Sequence, residues 1–116
     1  MAYCTKTDIL LEIPETVIAR LTDDSGGSPP AVDEPRVARA IANADAVIDA
    51  SCESSYTVPF VTVPNLIRKI SVDLSIYNLY SRKENVPAER DKRNTAALAL
   101  LEDTATLVKH IADSLS

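Results

Sequence analysis

The sequence contains no tryptophan, one phenylalanine and only two glycines in 116 residues. Such scarcity of aromatic residues and glycine favours a small helical protein whose core is packed by Leu, Ile, Val and Ala. The length predicts a single domain, residues 1–116, large enough to hold one hydrophobic core. A second independent domain is not expected.

Long apolar runs are also missing. No stretch approaches the ~20 consecutive apolar residues that a membrane-spanning helix needs. Residues 1–13 lack a basic segment followed by an apolar one, so a secretory signal is not expected either. These absences predict a protein that stays in the cytoplasm of the cell that makes it and has no membrane partner.

Basic residues are outnumbered, with 12 Lys and Arg against 17 Asp and Glu and a net charge of −5. A negative net charge repels phosphate backbones, so it disfavours direct nucleic-acid binding. A local basic patch is still compatible with this net charge. The two cysteines, Cys4 and Cys52, have neither CxxC spacing nor nearby histidines, which excludes the usual zinc and thioredoxin patterns. Two buried or half-buried free thiols are expected.

Helix signals occur along most of the chain. Thr5 with Asp8 predicts a short helix that stops at Pro14, and Pro14 suits the first turn of a second short helix, "PETVIARL". Residues 22–32 contain both glycines and predict an exposed, mobile loop. Asp33 then begins a long helix. Its predicted core stripe is Val37, Ala40, Ile41, Ala44, Val47, Ile48 and Cys52, with Arg36, Arg39, Asn43 and Glu53 on the wet face.

The next helix, residues 65–84, is apolar on two sides. Ile67, Ile70, Leu74 and Tyr77 fall on one side at 100° per residue, and Val72, Ile76 and Leu79 fall nearly opposite. In a chain this small, we expect another subunit to complete one of the two faces. Lys69 and Asp73 form a predicted pair at the boundary between them.

The last helix is predicted to run from Ala88 to near the C-terminus. Its first turns, "AERDKRN", are highly charged and are expected to project past the core. Its predicted apolar stripe is Ala97, Leu101, Thr104, Ala105, Val108, Ile111, Ala112 and Leu115. The fold class is therefore all-α, a small helical bundle of three main helices with a short N-terminal helical pair.

One uncharged segment, "YTVPFVTVP" at residues 56–64, interrupts the helices. It is a poor strand, because Pro59 cannot donate to a ladder and no second run exists to pair with it. Pro59 and Pro64 fix φ at two points, which predicts a stiff, extended interhelix arm. We expect Tyr56, Val58 and Phe60 to lie under the helices and Val61 and Val63 to face a neighbour.

Residues capable of catalysis are few. Asp45 and Asp49 lie four apart on one helix, a spacing compatible with paired carboxylates, but a solvated flank with Asp49 paired to an Arg is favoured. His110, the only histidine, is predicted on a solvated face without a second imidazole or an acid placed by spacing. We expect no enzyme activity, no cofactor and no metal.

Five stretches occur in an order that resembles a known family. They are "MAYCTKTDIL", "LTDD" followed by a loop, "RAIANADAVIDA", "YTVPF" with a second proline at Pro64, and "DLSIYNLYSRKENVP". Together they resemble the Mu-like prophage head–tail connector (adaptor) proteins of tailed phages. The match spans nearly the whole chain.

The resemblance implies a structural virion component at the head–tail interface. Such proteins form rings of about a dozen copies beneath the portal vertex, join the portal to a tail or stopper protein, and line a passage through which DNA moves without sequence-specific binding. Each ring subunit needs two different patches, for which helix 65–84 and the charged start of the last helix are candidates. The predicted contact residues are Tyr56, Pro59, Phe60, Val61, Val63, Pro64, Lys69, Val72, Asp73, Ile76 and Leu79.

Two other functions remain open from the sequence. One is a small helical adaptor or regulator that binds a protein partner through a groove between helices. The other is an enzyme that uses Asp45, Asp49 or His110.

Overall fold

The computed structural model describes residues 2–103, which contain five helices and no strand. The short N-terminal pair is α1 (Lys6–Leu10) and α2 (Glu15–Thr22). The main helices are α3 (Glu34–Cys52), α4 (Asn65–Ser81) and α5 (Ala88–Glu102). The predicted all-α class is confirmed. His110 and the stripe residues from Thr104 to Leu115 lie outside the described residues.

Local sequence signals set the helix boundaries. Thr5 and Asp8 form the predicted capping box, and Asp33 accepts a hydrogen bond from the Arg36 backbone N–H. Prolines precede α2, α4 and α5. The fourth helix is shorter than the predicted 65–84, because after Ser81 the N–H groups of Lys83 and Glu84 both bond the carbonyl of Tyr80 and close a turn.

The helices α3 and α4 are antiparallel neighbours. The Asn78 amide bonds the Ala40 carbonyl at 3.1 Å, and Ser71 bonds Asp45 at 2.7 Å, so residue numbers rise on one helix as they fall on the other. The helix α5 runs back along α4, with Ala97 and Leu101 buried against its N-terminal half. The bundle thus has an arm end, at residues 56–64, and a loop end, at residues 22–32.

Both apolar faces of α4 are covered within the chain. Ile67, Ile70 and Leu74 join a core cluster with α3, α5 and the arm. The opposite face packs under α1 and α2, and this second cluster contains Val72, Ile76 and Leu79. The expectation that another subunit completes one face was wrong, because the short N-terminal helices cover it.

Two further details differ from the predicted α3. Val47 is 43% exposed rather than in the core, whereas Asp45, expected on a solvated flank, is only 9% exposed. Asp45 is able to lie in the core because both of its carboxylate oxygens accept hydrogen bonds from other parts of the chain. Cys4 and Cys52 are buried free thiols, as predicted.

Segments outside the main helices are tied to them by charge. Residues 24–31 are exposed, as expected for the loop 22–32, and Asp24 pairs with Arg36, Arg82 and Lys83. The charged start of α5 does not project past the core, because Arg93 lies 3.0 Å from the Glu12 carboxylate. The predicted mobility of the loop stays a prediction.

Candidate functional site

The arm, residues 56–64, has one side in the core and one side in solvent. Phe60 is 9% exposed, and Tyr56, Val58 and Val63 are partly buried against the same cluster. Val61 is 89% exposed, the highest value among the large apolar side chains of residues 2–103. The expectation for Phe60 is confirmed. Val63 was expected to face a neighbour but packs partly against the core, and a neighbour at exposed Val61 stays a prediction. Pro59 is also exposed, whereas Pro64 is buried.

Tyr3 fastens the arm to α3. Its hydroxyl donates to Asp49 and accepts a hydrogen bond of 2.9 Å from the backbone N–H of Phe60. The Tyr3 and Phe60 rings meet edge to face, with centroids 5.7 Å apart. Burial, followed by the hydrogen bond to Asp49, raises the pKa of Tyr3 to about 12, so the phenol keeps its proton and donates.

Asp45 holds the same N-terminal segment to α4. It accepts hydrogen bonds from the Tyr3 backbone N–H at 2.9 Å and from Ser71 at 2.7 Å. The Ser71 hydroxyl also lies 3.2 Å from the Cys4 sulfur. Burial raises the pKa of the Asp45 carboxyl, against the two hydrogen bonds that lower it. Burial likewise raises the pKa of the Cys4 thiol, which disfavours the reactive thiolate.

This network changes the interpretation of the two carboxylates. The favoured solvated flank, with Asp49 paired to an Arg, was wrong, since Asp49 partners Tyr3 and Asp45 is buried. The roles found for both residues are structural, and both connect helix α3 to distant segments. Within residues 2–103, no three His, Cys, Asp or Glu side chains are grouped closely enough to hold a metal ion.

A groove of about 390 Å³ borders the N-terminal half of α4. Asp73 lies at its base with a side chain only 4% exposed, and Lys69 pairs with it at 2.8 Å as predicted. Leu11, 79% exposed, stands at the rim. The groove is lined by Asp8, Leu11, Glu12, Asn65, Arg68, Lys69, Val72, Asp73 and Arg93.

The predicted contact residues therefore do not form one surface. Pro59, Val61 and Lys69 are exposed, and Tyr56 and Val63 are half-buried. Phe60, Pro64 and Asp73 are buried, as are Val72, Ile76 and Leu79. Sequence reasoning missed Tyr3 as the anchor of the arm. An aromatic residue just before a capping box was the available signal, but nothing local identified its partners.

Comparison with known proteins gives one family. The model of the family described as bacteriophage Mu, Gp36 matches residues 3–110. No curated protein matches the chain. Across the described residues, every helix is too short or too polar to cross a membrane.

Proposed function

The chain belongs to the bacteriophage Mu Gp36 family, and from this premise we propose that it is a structural virion component that connects head and tail. In this proposal about a dozen copies form a ring under the portal vertex. The ring joins the portal to the tail or to a stopper protein and surrounds the DNA passage. The protein is in the bacterial cytoplasm before assembly and at the head–tail interface afterwards.

The anchored arm is the observation that carries the proposal. An exposed valine on a free loop would lose conformational entropy on binding, whereas an arm already fixed by Tyr3 loses less. Phe60 is held by both its ring and its backbone N–H, so the position of Val61 next to it is set before a partner arrives. Preorganised apolar residues of this kind suit the contact between ring subunits or with the portal.

The burial found for α4 narrows the proposed contact surface. Val72, Ile76 and Leu79 belong to the core cluster under α1 and α2, so they are no longer part of the proposed surface. Pro59, Val61 and the half-buried Val63 remain as its apolar part, and exposed Lys69 on α4, which pairs with Asp73, remains as its charged part. The net charge of −5 fits a passage that releases the DNA backbone.

A second candidate is an adaptor that binds a protein partner in the groove beside α4. Exposed Leu11 and the Asp73 carboxylate at the base favour this function, because they combine an apolar rim with a charged floor. Such an adaptor would bind a host protein without the portal. The two functions are therefore separated by the partner.

The test is electron microscopy of the purified protein mixed with the portal protein of the same phage. The proposal predicts rings on one face of the portal, and portal-dependent co-migration in size-exclusion chromatography. A protein that stays monomeric and elutes apart from the portal at concentrations up to roughly 100 µM, well above the Kd of a stable interface, would refute it.

A further inference from the structure

A narrow pocket lies between α3 and α4 near the loop end of the bundle. Its volume is about 170 Å³, and no acidic side chain is among the described residues that line it. It is formed by three arginines, two asparagines and an alanine: Arg36, Arg39, Ala40, Asn43, Asn78 and Arg82. Carboxylates beside the pocket offset much of this positive charge, because Asp24 pairs with Arg36 and Arg82 and Asp33 pairs with Arg36.

Two of the arginines are held in place. Asp24 lies 3.3 Å from Arg36 and 2.7 Å from Arg82, and Arg82 also donates to the Leu21 carbonyl at 2.7 Å. The hydrogen bond from Arg82, with that from Lys83, lowers the pKa of Asp24 to about 2. Asp24 therefore stays ionised at neutral pH and keeps both guanidiniums oriented.

The third arginine, Arg39, is exposed and makes no ion pair or side-chain hydrogen bond with any of residues 2–103. A guanidinium presents N–H donors in a planar fork that matches a carboxylate or a phosphate. The pocket volume fits a single oxyanion and is too small for a nucleotide. A single carboxylate also approaches this acidic protein against less repulsion than a DNA backbone does.

An acidic residue without a partner lies at the same end of the bundle. Asp91 in the first turn of α5 is exposed, and the described chain offers its side chain no hydrogen bond or ion pair. Only six residues separate the end of α4 from the start of α5, which keeps Asp91 at the end that carries the pocket. Glu53, by contrast, follows α3 at the far end, about 28 Å away by the helical rise.

We propose that Arg39, in the pocket it forms with Arg36 and Arg82, binds the Asp91 carboxylate of a second copy. Pocket and carboxylate are two different patches of each copy, so a heterologous contact between them is able to repeat from copy to copy around a ring. This inference rests on the proposed ring function, and it names the polar part of the contact between subunits. Asp24 serves as a positioning residue for Arg36 and Arg82.

The test is sedimentation velocity of Arg39→Glu, Asp91→Arg and the double variant, with the portal protein present. Each single variant is expected to raise the concentration at half-assembly about tenfold, and the double variant to return within about threefold of the original protein. Arg20→Glu is the matched control, because it makes the same change in net charge at an exposed arginine of α2 that lines neither the pocket nor the groove beside α4. Circular dichroism and Tm confirm that each variant folds.

Several results would overturn the inference. If Arg39→Glu forms rings at the same concentration as the original protein, the pocket is no contact and the ring function stands. An equal loss in Arg20→Glu would assign the effect to net charge alone. Binding of a short DNA duplex that Arg39→Glu abolishes would assign the pocket to phosphate. Failure of the original protein to assemble at all refutes the proposed function instead.

Discussion

At the scale of single residues, Tyr3 joins three parts of the molecule through one hydroxyl and one backbone N–H. The hydroxyl connects Asp49 on α3 with the Phe60 N–H on the arm, and the N–H bonds Asp45. These groups are buried or half-buried, where an unmade hydrogen bond costs more than a made one contributes. The position of the arm therefore depends on this side chain.

Replacing Tyr3 with Phe tests that dependence. The ring and its contact with Phe60 are kept, but the Phe60 N–H and the Asp49 carboxylate lose a partner. We expect the free energy of unfolding to fall by about 2 kcal/mol in urea titrations. Tyr77→Phe is the control, because the Tyr77 hydroxyl makes no hydrogen bond with the described residues. Equal, small changes in both variants would show that the hydroxyl of Tyr3 does not hold the arm.

The Asp45 carboxyl gives a second prediction, on pH. Burial raises its pKa above the ordinary 3.8, so the folded state keeps this proton to higher pH than the unfolded chain does. Stability from this group is full below 3.8 and is lost as pH rises through the folded pKa. The loss is about 1.4 kcal/mol for each pH unit that separates the folded and unfolded pKa values. Relative to Asp45→Asn, the original protein should lose stability in urea unfolding between pH 4 and 7.

The carboxylates of the loop change the stability of the protein in a different pH range, so they do not obscure the effect of Asp45. A hydrogen bond from Ser25 lowers the pKa of Asp23 to about 2, and one from Arg82 does the same for Asp24. Their stabilisation is present above pH 3.8 and is lost as pH falls toward 2. A stability difference between the original protein and Asp45→Asn that stays constant from pH 4 to 7 would contradict the role given to Asp45.

At the scale of elements, one side of the arm packs in the core and the other side is exposed for the proposed contact with a partner. Val61→Asp should change the free energy of unfolding by less than about 0.5 kcal/mol, because the side chain is in solvent, yet it should abolish ring formation with the portal. Thr57→Asp places the same charge at another exposed arm position and is the control. Rings formed normally by Val61→Asp would remove the arm from the contact surface.

Phe60→Ala examines the other side of the arm. Truncation of this buried ring should lower the free energy of unfolding by about 3 kcal/mol in urea titrations. Assembly should persist in the folded fraction but need a higher protein concentration, because the Phe60 N–H still bonds Tyr3 while the ring contact that helps to fix the arm is lost. A folded Phe60→Ala that assembles at the original concentration would show that the phenyl ring does not help to preorganise the arm.

The elements also show what the sequence was able to predict. The Thr5 cap, the Asp33 cap and the helix starts after proline depend on residues within about four positions of each other, so pattern alone found them. The Tyr3 bond to Asp49 spans 46 residues and leaves no local pattern. Periodicity likewise placed Val47 inside and Asp45 outside, because it contains no information on the partners that bury a carboxylate.

At the scale of the whole molecule, the two core clusters explain why one chain is enough for the fold. The N-terminal pair closes the second face of α4, and the arm and α5 close the first. Surfaces left for partners are therefore at the edges: the exposed side of the arm, the groove beside α4 and the arginine pocket. Sequence periodicity showed that α4 has two apolar faces that must be buried, but it did not show which segments of the chain bury them.

The central claim is that this protein is part of the virion at the head–tail interface. Quantitative mass spectrometry of purified virions, with gold labelling of the protein under the electron microscope, tests it most directly. We expect about a dozen copies per particle, in a ring-sized number set by the portal, with label at the junction of head and tail. Absence of the protein from purified virions that carry both portal and tail would contradict it.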